Sequence, residues 1–158
     1  ADLAPLGEEC LAMIKVRVLN GPNLNLLGQR EPGQYGQRSL ADIMQELEQF
    51  AVDCGLQLDH LQTNSEGKMI DAIHQAGKDG IDYIIINPAG YTHTSVAIRD
   101  ALLGVEIPFV EVHLSAVSAR EPFRQVSYFS DIAIGVISGF RGESYLLGLQ
   151  AILNRIEP

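Results

Sequence analysis

The stretch "IDYIIIN", from Ile81 to Asn87, sets the strongest limit on what this chain can fold into. A strand with one wet face alternates apolar and polar residues. An unbroken apolar run belongs to a strand covered on both faces, as in a parallel sheet. Parallel neighbours cannot be joined by a tight hairpin and need a crossover, usually a helix. The remainder of the chain supplies strands and crossovers in regular alternation. "IKVRVL" (Ile14 to Leu19) reads as a first strand and "LQLDHLQ" as a second, with alternating character. "PFVEVHL" reads as a fourth strand and "DIAIGVIS" (Asp131 to Ser138) as a fifth.

Helical patterns lie between them. In "SLADIMQELEQFAVDCG", Ser39 is the N-cap, Leu40, Ile43, Met44 and Leu47 form the buried stripe, and Gly55 ends the element. "EGKMIDAIHQAG" turns Met69, Ile70 and Ile73 inward, "TSVAIRDALLG" is capped by Thr94 or Ser95, and "ESYLLGLQAILNRI" is the last helix. A short turn or helix is expected from Pro122 to Gln125. Five β-α repeats predict a three-layer α/β fold: a five-stranded parallel sheet with helices on both faces, doubly wound, with flavodoxin-like strand order. No repeat, low-complexity tract or linker divides the chain, so residues 13–158 read as one domain. Residues 1–12, "ADLAPLGEECLA", lack the basic start and apolar core of a secretory signal and read as an extension or expression remnant.

Composition narrows the function. With 46% apolar and 20% charged residues there is material for a real core. No apolar run approaches the roughly 18 residues of a membrane span. The two cysteines, Cys10 and Cys54, suggest neither a disulfide framework nor a metal cluster, which points to a reducing, cytoplasmic setting. A formal charge of −9, a sequence pI of about 4.8 and the lack of any Lys/Arg cluster exclude a generic nucleic-acid binder. An anionic ligand would have to be met locally, by a few placed arginines.

Ligands of doubly wound sheets bind outside the carboxyl ends of the strands, so the residues that follow each strand carry the functional reading. The first strand opens into "NGPNLNLLGQREPGQYG", which lacks the ending of a P-loop and the spacing of a dinucleotide fingerprint. Gly28, Gly33, Gly36 and Pro32 suit a lid over a ligand. Within it Arg30 and Tyr35 are close enough to face one molecule. A phenol titrates near pH 10, and a guanidinium beside it favours the phenolate, bringing Tyr35 toward use as a general base. Loop composition by itself leaves open, and leans toward, a packed ring and a solvated charge.

Two further stretches end on the same rim. In "FVEVHLS", Glu111 and His113 are two apart on a strand and share a face, while Val110 and Val112 take the other. A carboxylate beside an imidazole orients it and raises its pKa, as a general acid requires; a purely structural pair is equally compatible. "NPAGYTHTS" sets Asn87 and His93 around a small-residue turn entering a helix, whose free N–H groups suit a hydroxyl-rich or oxyanionic ligand. For His93 a capping or surface role stays open. Arg120 and Arg124 follow the fourth strand and suit a carboxylate, Arg124 with bidentate geometry. His60 and His74 read as structural, and no spacing of His, Cys, Asp and Glu resembles a metal site. None of Lys15, Lys68 and Lys78 falls at the carboxyl edge, which argues against a Schiff base.

Taken in order, "LNGPNLNLLGQREPGQYG", "NPAGYTHTSVAIRDAL" and "EVHLS…AREPFR…SY" resemble type II 3-dehydroquinate dehydratase, from about Ile14 to the last helix. The resemblance implies a hydro-lyase of the shikimate pathway of aromatic amino acid biosynthesis. It would eliminate water in the anti sense from 3-dehydroquinate, through an enolate, with neither metal nor organic cofactor. Tyr35 would abstract the C2 proton, supported by Arg30. His113, oriented by Glu111, would protonate the leaving hydroxyl, and Asn23 would steady the enolate through a water. Asn87, His93 and Arg124 would hold ring hydroxyls; Leu114 and Ser115 would bind the carboxylate. Asp100 would reach a neighbouring subunit's site in a dodecamer built from trimers. Asn20 and Asn25 read as loop scaffolding.

This sequence departs from the family pattern after "HLS", where Ala116 and Ser118 replace the usual Asn and His or Tyr, and at Arg141. Ala116 lacks a side chain to order the loop, so weakened substrate affinity is expected. The competing readings are a flavodoxin-like binding protein, a receiver domain and a catalytically impaired homologue. An FMN site would need a Ser/Thr-rich loop after the first strand, and Gly21 to Gly28 contains none. A receiver would need acidic residues there and an Asp where Asn87 stands.

Overall fold

The computed structural model describes residues 14–29 and 37–156. Its sheet has the order β2-β1-β3-β4-β5 with every neighbouring pair parallel, which is the doubly wound, flavodoxin-like order. The central strands are β1 (Lys15–Asn20), β3 (Tyr83–Asn87) and β4 (Phe109–His113). The edges are β2 (Gln57–Gln62) and β5 (Gly135–Ser138). In β3, Ile84, Ile85 and Ile86 are all fully buried, so the unbroken run does mark a strand covered on both sides.

Alternation along the strands divides the interior in two. Val16, Val18, Ile85, Val110 and Val112 point to α1 (Leu40–Asp53) and α4 (Glu143–Ile156). Leu19, Ile84, Ile86 and Phe109 point to α2 (Glu66–Lys78) and α3 (Val96–Val105). Fully burying an aliphatic side chain contributes about 1.5–3 kcal/mol, so each layer is held by its helix stripes: Ile43, Met44 and Leu47 on α1, Met69 and Ile73 on α2. Leu40 and Ile70 pack at the borders of these clusters, partly buried.

Three helices start on serine caps. Ser39 and Asp42 form a reciprocal capping box at α1. Ser65 accepts from Lys68 N at α2, and Ser95, not Thr94, caps α3 by accepting from Ile98 N. The turn expected at Pro122 is a 3-10 helix, Pro122–Arg124.

β5 is shorter than the sequence pattern suggests, because Asp131–Ile134 are not strand. Phe129 is fully buried, and its carbonyl accepts from Ile132 N and Ala133 N, which closes a turn. Arg99 on α3 holds that turn through an ion pair with Asp131. Tertiary ties outweigh the local alternation, and the ladder starts only after Ile134 N reaches Phe109 O.

The amino end of the sheet carries its own charge cluster. Arg17 donates to both carboxylate oxygens of Asp59 at 2.7 and 2.9 Å and to Asp79, after α2, at 2.9 Å.

Candidate active site

The carboxyl ends of β1, β3 and β4 converge on one cleft of about 120 Å³. Register explains the convergence: Asn20 pairs with Asn87, and Ile86 with Glu111. At Gly21 the loops after β1 and β3 touch. Gly21 N donates to Asn87 O at 2.8 Å, and a Cβ there would lie 2.4 Å from Pro88 O, so no side chain fits.

Beneath the cleft three buried polar groups form one chain. The Tyr145 hydroxyl on α4 donates to Asn20 Oδ1 at 2.6 Å and accepts from Asn87 Nδ2 at 3.0 Å. Burial raises the Tyr145 phenol well above its ordinary value, keeping it neutral. Asn87 Oδ1 accepts from Ala89 N, an Asx turn that holds Ala89 at φ 53, a conformation costing about 1–2 kcal/mol. Both ends of the Asn87 amide are therefore assigned. Its second N–H remains for the cleft, so Asn87 offers a donor there. Asn20 is thus a buried strand-end anchor rather than loop scaffolding.

Asn23 sits in a left-handed conformation, φ 68, which asparagine tolerates, and its N–H donates to Asn64 Oδ1. His93 Nδ1 lies 2.7 Å from Val126 O. A carbonyl only accepts, so Nδ1 carries the proton and Nε2 is left for the cleft.

Glu111 and His113 are both buried, with Glu111 Oε2 2.5 Å from His113 Nε2. The carboxylate also receives two hydroxyls that the sequence reading does not single out. Ser127 Oγ lies 3.0 and 3.1 Å from its two oxygens, and Ser130 Oγ 3.0 and 3.2 Å. Among the described residues no Lys or Arg pairs with Glu111, and its buried, polar setting suits a group that holds an imidazole in one orientation.

After β4, Leu114 and Ser115 are buried and their carbonyls are engaged, Leu114 O by Arg141 N and Ser115 O by Ser138 Oγ. The C=O and N–H of a trans peptide point in opposite directions, so Ser115 N–H faces away from Arg141. Gln125 donates to the carbonyls of Val117, Arg120 and Glu121. Ser138 and Gln125 thus order the loop around Ala116 without a side chain at that position. Arg120 Nη1 donates to Ser115 Oγ. Arg124 donates through Nε to Glu121 and lies over the Phe123 ring, and its hydrogen bond holds the Glu121 carboxyl below the usual range.

Of the residues singled out by sequence, Asn23, Asn87, His93, His113, Leu114, Ser115, Arg120 and Arg124 line this cleft, with Glu111 directly behind His113. Asp100 does not; it is exposed on α3. Arg30 and Tyr35 lie outside the described residues. A larger cavity of about 530 Å³ opens between α1 and the start of α4, beside Glu46, Phe50 and Phe140. It holds none of the rim chemistry, so size does not mark the site here. Among the described residues no group of His, Cys, Asp and Glu is arranged to hold a metal ion, and no helix is long and apolar enough to cross a membrane.

The fold and the rim define a doubly wound α/β protein with an amide-, imidazole- and carboxylate-lined cleft at the carboxyl edge of its sheet. The chain belongs to the class II dehydroquinase family, whose model matches residues 14–153. A 3-dehydroquinate dehydratase of Cellvibrio japonicus is 62% identical over 139 residues, covering 88% of this chain and 94% of that protein. The crystal structure of a type II dehydroquinase from Butyrivibrio crossotus superposes with a TM-score of 0.87 at 38% identity, covering 89% of this chain and 97% of the other. One from Propionibacterium acnes gives 0.84 at 40%, covering 89% and 96%.

Proposed function

We propose that this chain is a 3-dehydroquinate dehydratase, which removes water from 3-dehydroquinate in the anti sense to give 3-dehydroshikimate. The observation that carries the reading is the buried Glu111–His113 pair at the cleft of a chain with this family membership. Tyr35 takes the C2 proton, with Arg30 supporting its phenolate, and the electrons of that C–H bond pass to the C3 oxygen as an enolate. Asn23 steadies the enolate through a water. His113, held by Glu111, gives a proton to the leaving hydroxyl; water departs and the enolate collapses to the conjugated enone.

Binding uses the remaining rim. Asn87 offers its free N–H, His93 its Nε2, and Arg124 its guanidinium to ring hydroxyls, while Leu114 and Ser115 receive the carboxylate. Asp100, exposed and away from its own chain's cleft, reaches the site of a neighbouring subunit, in a dodecamer built from trimers. The enzyme serves the shikimate route of aromatic amino acid biosynthesis in the cytoplasm, and residues 13–158 act as one catalytic domain.

Ultraviolet absorbance of the enone after addition of 3-dehydroquinate tests this. A rise with the wild-type chain and none with Tyr35→Phe is expected. No rise from the wild type would sink the reading. Borohydride added with substrate should leave turnover intact; inactivation would point to a lysine imine and different chemistry.

A further inference from the structure

Glu111 is 1% exposed, and the described residues place no Lys or Arg against it. Such a carboxylate must be held by hydrogen bonds. The directions of those bonds can be read from the chain. Ser127 Oγ accepts from two backbone donors, Phe129 N at 3.1 Å and Ser130 N at 3.2 Å. Those N–H groups can only donate, so they occupy the lone pairs of the hydroxyl and turn its one proton toward Glu111. Ser130 Oγ approaches the same two oxygens from the other end of the turn. Each hydroxyl straddles the carboxylate rather than choosing one oxygen, as suits a delocalised anion.

The turn that carries both serines is itself tied down. Phe129 between them is fully buried, and Tyr128 N donates to Thr92 O at 2.9 Å. Arg99 on α3 donates to Tyr128 O at 2.8 Å and to Asp131 Oδ2 at 2.9 Å. Ser127 is therefore a fixed donor, and Ser130, on the exposed side of the same turn, adds a second hydroxyl to the carboxylate.

We infer that Ser127 and Ser130 are positioning residues for the acid of the reaction proposed above: they hold Glu111 as an acceptor-only carboxylate, which fixes the proton of His113 on Nε2 and the orientation of its ring. With Nε2–H donating to Glu111, Nδ1 is the ring nitrogen that faces the cleft His113 lines, and the proton passed to the leaving hydroxyl is the Nδ1–H of the doubly protonated ring, which Glu111 then holds as the neutral Nε2–H tautomer. Neither serine touches the reacting molecule. Their effect passes through Glu111 to His113, so it falls on the chemical step and leaves binding alone. The inference rests on the dehydratase reading.

The test is steady-state turnover of 3-dehydroquinate by wild type, Ser130→Ala, Ser127→Ala and Ser127→Thr. Ser130→Ala removes one donor and keeps the Ser127 turn; kcat is expected to fall about 10-fold, with KM within about twofold. Ser127→Ala removes the better directed donor and is expected to lower kcat by about 10- to 100-fold. Ser127→Thr keeps the hydroxyl and should recover most of the wild-type rate. If Ser127→Ala does not fold, Ser130→Ala and Ser127→Thr still decide the matter. Unchanged kcat in Ser130→Ala, or kcat and KM worsening together in every variant, would overturn the inference. An inactive wild type would instead overturn the dehydratase reading, so the two failures are distinguishable.

Discussion

The two ends of the sheet both gather charge, and they treat it in opposite ways. At the amino end Arg17 is clamped between two carboxylates, bidentate to Asp59 and single to Asp79, with its own side chain 13% exposed and theirs 57% and 39%. At the carboxyl end Glu111 is almost wholly buried, and its partners among the described residues are two hydroxyls and an imidazole. Opposite charges in contact neutralise each other and leave little for any third group. A charge held by neutral dipoles keeps its influence on whatever lies next to it, more so where water is excluded. The same strands thus end in a fastening on one side and in a group that can direct an imidazole on the other.

The contrast can be broken by experiment. The largest effect is expected from Glu111→Gln, which keeps the shape but presents donors to serines that are themselves donors. The turnover number should fall by about 10²–10⁴-fold, as for loss of general acid catalysis, measured in the enone assay. Arg17→Met should leave turnover unchanged, because its cluster faces the other end; equal losses from the two variants would erase the distinction.

Next in size is Tyr145→Phe. It strands Asn20 Oδ1 and Asn87 Nδ2 in the interior, and urea unfolding should register a loss of about 1–3 kcal/mol. Because the folded state raises this phenol, its contribution is complete below the ordinary tyrosine value near pH 10 and is lost as pH climbs above it. The alkaline fall in stability should therefore be shallower in the Phe variant.

The smaller effects lie at the amino end. Arg17→Met should cost about 1 kcal/mol at low salt and less at high salt. Asp79 is held below the usual carboxyl range, first by the Gln75 hydrogen bond and then by Arg17. Its contribution is present above the ordinary carboxyl value, about 3.9, and disappears as pH falls through the lower folded value. Melting curves of Asp79→Asn should converge with wild type only in that acid window.

What could be read from sequence was what neighbours in the chain decide. Serine caps, helix stripes and the Ile84–Ile86 run are local, and Glu111 and His113 share a face because they are two apart on one strand. "DIAI" alternates like a strand and extends the fifth strand on paper, and only the burial of Phe129 and the reach of Arg99 show otherwise. The serine donors are not legible in the sequence for a related reason. Ser127 and Ser130 lie 16 and 19 residues from Glu111, and nothing in "SYFS" says which carboxylate its hydroxyls meet. Tyr145 reads as one more apolar position on an amphipathic helix until its hydroxyl is placed between two asparagines.

That hydroxyl also sets an order of events in time. Asn20 and Tyr145 are separated by 125 residues, and closing so long a loop is among the slowest steps a small domain faces. A chain that has emerged from the ribosome only as far as residue 100 holds both carboxamides but lacks the phenol that joins them. Until the last helix docks, only the local turn to Ala89 N holds the Asn87 amide, its Nδ2 has no phenol to donate to, and Asn20 and Asn87 are not yet joined beneath the cleft.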